Sequence, residues 1–158
     1  GKNNKKNPKT YTSAKKVVLK KPTRKGYAFK GWYTDRKCTK KITSIKKGSK
    51  KNYTVYAKWS KVKVKRTTGL KVANTNGKNL VVKYSKVSGA KGYQITYATN
   101  SKFTKSKKVV NTTKRTKTIK KLKKGKTYYV RVRAYKKDST GRKVYGKYSK
   151  VMKVKITK

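Results

Sequence analysis

Positive charge dominates this sequence of 158 residues. Fifty-two lysine and arginine residues stand against only Asp35 and Asp138, and with no glutamate or histidine the formal net charge is +50 at pH 7. Hydrophobic residues make up only 32%, which by itself would suggest disorder. The 13 tyrosines, two tryptophans and many β-branched residues are, however, the side chains from which sheets are built. We therefore expect small β domains whose strands carry the cations on one face.

The same composition argues against catalysis. General acid and base groups are usually carboxylates or histidines, and metal sites need clustered histidine, cysteine or carboxylate ligands. Asp35 and Asp138 lie about a hundred residues apart, and a Ser–His or Cys–His pair cannot form without histidine. A lysine nucleophile stays open, but none of the 45 lysines is singled out. We expect no enzymatic activity, no cofactor and no metal site.

Cysteine content and hydropathy limit the class further. Cys38 is the single cysteine, so neither an intrachain disulfide nor a CxxC metal motif can form. No apolar run approaches the roughly 20 residues of a membrane span, and no signal peptide is recognised. We expect a soluble piece of a longer protein with no transmembrane segment.

Short apolar clusters between turn residues predict strands in the first half. Residues 17–19 form a brief strand signal, and residues 27–33 place aromatic side chains at even spacing, except for Trp32, which is off that register. Residues 54–59 alternate apolar and polar side chains.

The segments PTRKGYAFKGWYTD, residues 22–35, and YAKW, residues 56–59, resemble the Listeria-Bacteroides repeat, the B-repeat of internalin-type bacterial surface proteins. The resemblance implies a small β-grasp-like module over residues 1–60, with Gly26 and Gly31 at tight backbone positions. It implies a shared aromatic core from Tyr27, Phe29, Trp32 and Trp59.

Members of that family usually open with an apolar strand, whereas this chain opens on a polar loop. We expect either that the sheet closes without this first strand or that a neighbouring chain fills the open edge, which would give self-assembly.

Residues 61–69 form a short basic connector without proline, and its alternating valines favour a strand. Residues 70–158 then predict a sandwich of about seven strands. Leu80, Val82 and Tyr84 share one strand face, as do Tyr93, Ile95 and Tyr97, and Ile119 and Leu122 are further apolar positions. The predicted inward positions on the longest strand are Tyr128, Val130, Val132 and Ala134, and the chain closes with Val151, Val154 and Ile156 among basic residues. The predicted outward positions on the longest strand are Tyr129, Arg131, Arg133 and Tyr135.

The segments SKVSGAKGYQITYAT, residues 85–99, and LKKGKTYYVRVRAY, residues 122–135, resemble a fibronectin type III domain. Leu122, Gly125 and Tyr128 match its tyrosine corner, which implies that the Tyr128 hydroxyl bonds to the main chain upstream. Tyr84 stands where the family often has tryptophan. The expected fold is therefore all-β, a β-grasp-like module plus an immunoglobulin-like (fibronectin type III) β-sandwich.

Without a catalytic motif, the cationic surface is the candidate functional feature. Stripes of lysine and arginine attract polyanions by releasing counterions, and 45 lysines against seven arginines favour diffuse attraction over sequence readout. The expected partners are teichoic acid, extracellular nucleic acid bound non-specifically, or glycosaminoglycan. The candidate residues are Lys63, Lys65, Arg66, Lys120, Lys121, Lys123, Lys124, Arg131, Arg133, Lys153 and Lys155.

Two alternatives remain at this point. Tyr129 and Tyr135, beside the two arginines, form either a stacking platform for bases or, as we favour, ordinary packing contacts. The charge itself serves either adhesion or the solubility and assembly of a structural stalk or fibre subunit. The two resemblances indicate an extracellular place on a bacterial surface or cell wall.

Charge density gives a first prediction. Fifty charges on a folded surface of this mass lie about 13 Å apart, beyond the Debye length of about 8 Å at physiological salt but within the roughly 30 Å at 0.01 M. We expect the thermal unfolding midpoint to rise as salt is raised to a few tenths molar, because screening relieves self-repulsion. A midpoint that stays flat or falls, measured by circular dichroism, would contradict this.

Overall fold

The computed structural model describes residues 1–157, and every helix or strand assigned in them is a β-strand. The expected all-β fold is confirmed for this part of the chain. Two compact units are present: the first comprises Gly1–Val62 and Lys137–Arg142, and the second comprises Lys63–Lys136 and the chain from Lys143 onward.

The first unit contains five short strands. They are β1 (Val17–Val18), β2 (Tyr27–Tyr33), β3 (Lys41–Ile42), β4 (Ser44–Ile45) and β5 (Tyr56–Lys61). Strands β3, β2 and β5 form an antiparallel sheet with β2 in the centre, and β1 pairs antiparallel with β4.

A β-bulge in β2 explains the irregular aromatic spacing of the sequence. Phe29 pairs with Trp59, but the register then shifts, so that Gly31 lies opposite Lys58 and Trp32 opposite Ala57. The extra residue returns Trp32 to the face that carries Phe29. The Phe29 ring lies 5.5 Å from the rings of Trp32 and Trp59, both edge-on. Trp32, which the alternation alone places off the core face, is therefore buried.

Tyr27, the fourth residue expected in this aromatic cluster, has a different neighbour. Its ring lies 3.9 Å from the guanidinium carbon of Arg24. This is a cation–π contact at a partly exposed position.

Eight further strands are assigned in the rest of the described chain. They are β6 (Lys71–Ala73), β7 (Leu80–Lys83), β8 (Gly92–Ala98), β9 (Lys108–Thr112), β10 (Thr116–Ile119), β11 (Thr127–Lys137), β12 (Lys143–Tyr145) and β13 (Met152–Lys155). One sheet has the order β10-β7-β6, and the other has the order β12-β11-β8-β9 with β13 also paired to β11. The last strand of the sandwich is thus interrupted between β12 and β13.

Alternation along the strands builds the core of the second unit. On β11, Val130 and Val132 are fully buried between partly exposed neighbours. Leu80 and Val82 from β7 and Ile95 from β8 are also fully buried. The remaining buried apolar residues of this core are Leu70, Tyr84, Val87, Tyr93, Tyr97, Ile119, Leu122, Tyr128, Ala134 and Ile156.

Two local expectations are wrong. Residues 62–70 carry no assigned strand, although Ser60 and Lys61 extend β5. Tyr135, expected to face outward, is only 8% exposed, because its ring packs against Tyr145 at 5.8 Å.

Both carboxylates of the chain hold loops through backbone N–H groups. Asp35 accepts hydrogen bonds from the backbone of Thr39 and Lys40. In the first unit, Asp138 Oδ2 accepts from Gly26 N at 2.8 Å, and its Oδ1 accepts from the backbone of Thr140 and Arg142. These hydrogen bonds lower the pKa of Asp138 to about 2; the one from Gly26 has the largest effect, and those from Thr140 come next.

The conformation of Gly31 at the bulge predicts that a larger residue there destabilises the first unit. Gly31 has φ of +146°, and a Cβ there would lie 3.0 Å from Lys41 Cε and 3.3 Å from a Tyr33 ring carbon. We expect Gly31→Ala to lower the free energy of unfolding of the first unit by about 1–3 kcal/mol. Tryptophan fluorescence during urea unfolding measures it, because Trp32 and Trp59 are the only tryptophans.

Gly48→Ala is the matched control. Its φ is +85°, but no atom lies within 4 Å of the added Cβ, so it adds backbone strain without the contacts. Equal losses for the two variants would show that the crowding at Gly31 does not matter.

The two aspartates predict how the free energy of unfolding depends on pH. Without histidine or glutamate, stability should be nearly constant between pH 5 and 8. Asp138 has a folded pKa below its ordinary 3.8, so its contribution is full above about pH 4 and is lost as pH falls towards 2. Asp138→Asn should therefore unfold at lower urea than the natural chain at pH 7, and the gap should shrink as the pH falls from 4 towards 2. A gap that is constant across this range would refute the assignment.

Candidate anion-binding surface

All eleven cations predicted for anion binding lie in the second unit. Nine of them are exposed: Lys63, Lys65, Arg66, Lys120, Lys121, Lys123, Lys124, Lys153 and Lys155. The other two, Arg131 and Arg133, are partly buried. The predicted cations therefore differ in their exposure to solvent.

Strand pairing brings some of them together on one sheet face. Lys155 pairs with Thr127 and Lys153 with Tyr129 where β13 lies beside β11. Directly paired residues lie on the same face of a sheet, and every second residue along β11 continues that face. Arg131 and Arg133 therefore follow Tyr129 on the face that carries the two lysines.

The two arginines are stacked on aromatic rings of their own unit. The Arg131 guanidinium carbon lies 4.1 Å from the ring centres of both Phe103 and Tyr148. The Arg133 carbon lies 4.0 Å from the ring centre of Tyr145 and 4.5 Å from that of Tyr148. Stacked contacts at this distance are favourable, and each guanidinium plane already has two ring partners. These arginines are therefore engaged within the protein.

A polar network joins the same rings. Arg133 Nε donates to Gln94 Oε1 at 2.9 Å, and Tyr148 Oη donates to the same oxygen at 3.3 Å. Gln94 Nε2 in turn donates to Tyr145 Oη. Sequence reasoning missed Phe103, Tyr145, Tyr148 and Gln94. Tyr145 is the last residue of β12, and Tyr148 lies within the interruption of the last strand, where period-two alternation gives no signal.

The sequence left open whether Tyr129 and Tyr135 form a base-stacking platform or pack against neighbouring side chains, and the structure shows packing for Tyr135. That ring is buried, whereas Tyr129 is partly exposed. The two tyrosines thus do not present a continuous pair of open rings.

A second feature is a cleft of about 500 Å³ beside the turn between β10 and β11, which we call the lysine cleft. Its lining residues are Tyr97, Thr99, Ser106, Lys108, Lys121, Leu122, Lys123, Lys126, Thr127, Tyr128 and Tyr129. Lys121 and Lys123 belong to the predicted set. Lys108 and Lys126 were missed; Lys108 reaches the cleft because β9 pairs it with Tyr97 on β8.

Backbone hydrogen bonds hold the lysine-rich turn of the cleft. Lys123 N donates to Tyr128 Oη at 3.1 Å, which is the contact that the tyrosine-corner motif implied, with the hydroxyl as acceptor. Leu122 N donates to Lys78 O, and Gly125 N donates to Ile156 O. Lys121, immediately before the first of these anchors, has φ of +59°, in the left-handed region that non-glycine residues rarely adopt.

Tyr97, one of the residues that line the cleft, is protonated at neutral pH. Burial, and then the neighbouring Tyr128, raise the pKa of Tyr97 above its usual value. The cleft wall thus adds no negative charge of its own to the four lysines.

No group of three or more histidine, cysteine or acidic residues that could hold a metal ion is found in residues 1–157. Within that same range, no helix is long and apolar enough to cross a membrane.

The sequence of this chain matches two known domain families. Residues 1–58 match the Listeria-Bacteroides repeat domain, and residues 63–147 match the fibronectin type III domain. No curated protein matches the chain. Both domain types are typical of extracellular or surface proteins.

Similar solved structures are fibronectin type III domains. The FN1–FN3 domains of chicken CNTN1 share 20% identity with a TM-score of 0.51, over 66% of this chain and 35% of that one. The sixth such domain of human fibronectin type III domain containing protein 3 shares 16%, with a TM-score of 0.49, over 62% and 90%. An Fn3-like protein from Clostridium thermocellum shares 21%, with a TM-score of 0.42, over 54% and 86%.

This chain spans about a third of the chicken structure, and at 20% identity the likeness shows the fold alone. The family match covers more than half of the chain. The protein therefore belongs to the fibronectin type III family, and it carries a Listeria-Bacteroides repeat before that domain.

Proposed function

We propose that this chain is a non-enzymatic, cationic module of a bacterial surface protein that binds polyanions non-specifically in adhesion or matrix attachment. The polyanions are teichoic acid, extracellular nucleic acid or glycosaminoglycan. One observation carries the proposal: the chain has 52 cations and two carboxylates, and both carboxylates accept backbone N–H groups in their own loops. The cations of the surface are thus left to find counterions outside the chain.

The mechanism is counterion release. Each lysine that approaches a phosphate or sulfate frees condensed ions, so affinity falls steeply with salt. Lysine is a flexible point charge, whereas arginine is the side chain that recognises planar groups with a fork of donors. Because Arg131 and Arg133 are stacked on rings, the cations open to a ligand on this face are lysines. Such a surface attracts acidic polymers with little preference for their sequence.

The absence of catalysis in this proposal rests on chemistry. Asp138 and Asp35 hold turns, and their pKa values are lowered, so neither is placed as a general acid at neutral pH. Domains of these two types are typically structural or adhesive. The bacterial cell surface or cell wall is the proposed location on the same ground.

Retention on anionic columns tests the proposal. We expect the chain to bind heparin, DNA and lipoteichoic acid columns and to elute above physiological salt, with log K falling linearly against log salt. Elution below physiological salt from all three columns would overturn the proposal. Ordered oligomers at moderate salt, measured by light scattering, would instead favour the fibre subunit, and a monomer that is not retained would favour a stalk.

Paired substitutions separate charge from stacking. Arg131→Lys with Arg133→Lys keeps the charge but removes the planar stacks, so we expect unchanged elution and a free energy of unfolding lower by about 1–3 kcal/mol. Lys153→Gln with Lys155→Gln should leave stability within about 0.5 kcal/mol and reduce the salt slope by about two. If the arginine pair changed elution as much as the lysine pair, the arginines would be ligand-binding residues.

A further inference from the structure

We propose that the lysine cleft is a defined binding site for a phosphate ester of a sugar or polyol. It would hold one unit of an anionic chain while the remaining surface attracts the chain diffusely. This inference rests on the proposed polyanion binding, but its test gives a separate result. It differs from the diffuse surface because it assigns one ligand group to one cleft.

Charge converges on this cleft from distant parts of the chain. Lys108 comes from β9, Lys121 and Lys123 come from the turn after β10, and Lys126 precedes β11. No acidic residue is among the lining residues. Four like charges around about 500 Å³ repel one another, and an anion placed between them relieves that repulsion.

The type of cation favours a phosphate group. The lining contains four lysines and no arginine. A planar carboxylate is matched best by the two parallel donors of a guanidinium, whereas ammonium groups can approach the several oxygens of a tetrahedral anion from different sides. The cleft therefore suits a phosphate ester better than a uronic acid.

The rest of the lining suits a sugar or polyol. Thr99, Ser106 and Thr127 supply hydroxyl groups, and the partly exposed Tyr129 ring and Leu122 supply apolar surface. A volume of about 500 Å³ lies within the usual range of about 300–1,000 Å³ for sites of small ligands. There is room for a phosphate and the group esterified to it.

The turn that carries the lysines is held before any ligand arrives. Its backbone is anchored at Leu122, Lys123 and Gly125 by hydrogen bonds to other parts of the second unit. Lys121 has a positive φ immediately before the first anchor, and strained positions of this kind persist only where the surroundings enforce them. A site that is already ordered loses less entropy when it binds.

The experiment uses the whole chain and small phosphate esters at physiological salt. The chain is titrated with sn-glycerol 3-phosphate, glucose 1-phosphate, the diester glycerophosphoglycerol or inorganic phosphate, and its backbone amides are followed by ¹H–¹⁵N NMR. Binding to the cleft should give saturable shifts in residues 121–127. A phosphate monoester resembles the terminal unit of a polymer and a diester resembles an internal unit, so comparing the two shows which unit the cleft binds.

Two triple variants with the same charge change make the comparison. The cleft variant is Lys121→Gln, Lys123→Gln and Lys126→Gln, and all three side chains are exposed. The control is Lys86→Gln, Lys91→Gln and Lys114→Gln, exposed positions of the second unit outside the cleft lining. Lys91 precedes β8 and Tyr97 is near its end, so at about 3.4 Å per residue they are roughly 20 Å apart.

The cleft variant should weaken phosphate ester binding by about tenfold or more, since each charge-assisted hydrogen bond contributes substantially, and the control by less than about twofold. Tyr129→Leu should weaken glucose 1-phosphate binding but not binding of inorganic phosphate. Equal weakening in both triple variants, or shifts spread over all exposed lysines without saturation, would overturn the cleft site.

The two proposals fail in different ways. If polymer columns retain the natural chain but no ester saturates the cleft, the diffuse surface stands and the cleft site falls. If esters bind in the cleft but no polymer is retained, the polyanion function falls and a small-molecule site remains.

Discussion

The packing of inward side chains between the two sheets of the second unit is the interaction on which the other features depend. Val130 and Val132 on β11, fully buried against Ile95 and Val82, hold that strand in register. Because strand side chains alternate, the register that buries the valines also turns Arg131 outward with its neighbours. Core and cationic face are therefore two consequences of one strand pairing.

The chain divides its charged residues by chemistry. Its two aspartates provide acceptors for turn N–H groups, a task that neither lysine nor arginine can perform, because both are donors only. Arg131 and Arg133 have the flat guanidinium that stacks on Phe103, Tyr145 and Tyr148. The lysines are mostly exposed, although some also lie over rings, such as Lys143, whose Nζ is 4.7 Å from the ring centre of Tyr135.

Sequence reasoning reached the strands and most of the core, but it failed where the two-residue period breaks. The bulge before Gly31 returns Trp32 to the aromatic face, and nothing in YAFKGWY states that one residue is extra. The interruption between β12 and β13 places Tyr148 over both arginines. In the lysine cleft, Lys121 and Lys123 were within reach of the motif, whereas Lys108 was not, because only strand pairing brings it there.

The amino-acid sequence by itself determined the all-β class, the two domain families and the excess of cations, because alternation, turn residues and composition are local properties. Tertiary structure alone decided which cations remain available. Whether Arg133 meets a ring or water, and whether Lys108 joins Lys126 in a cleft, depends on contacts between residues far apart in the chain. Such contacts arise from sheet register and bulges, which the side-chain pattern of a single strand does not encode.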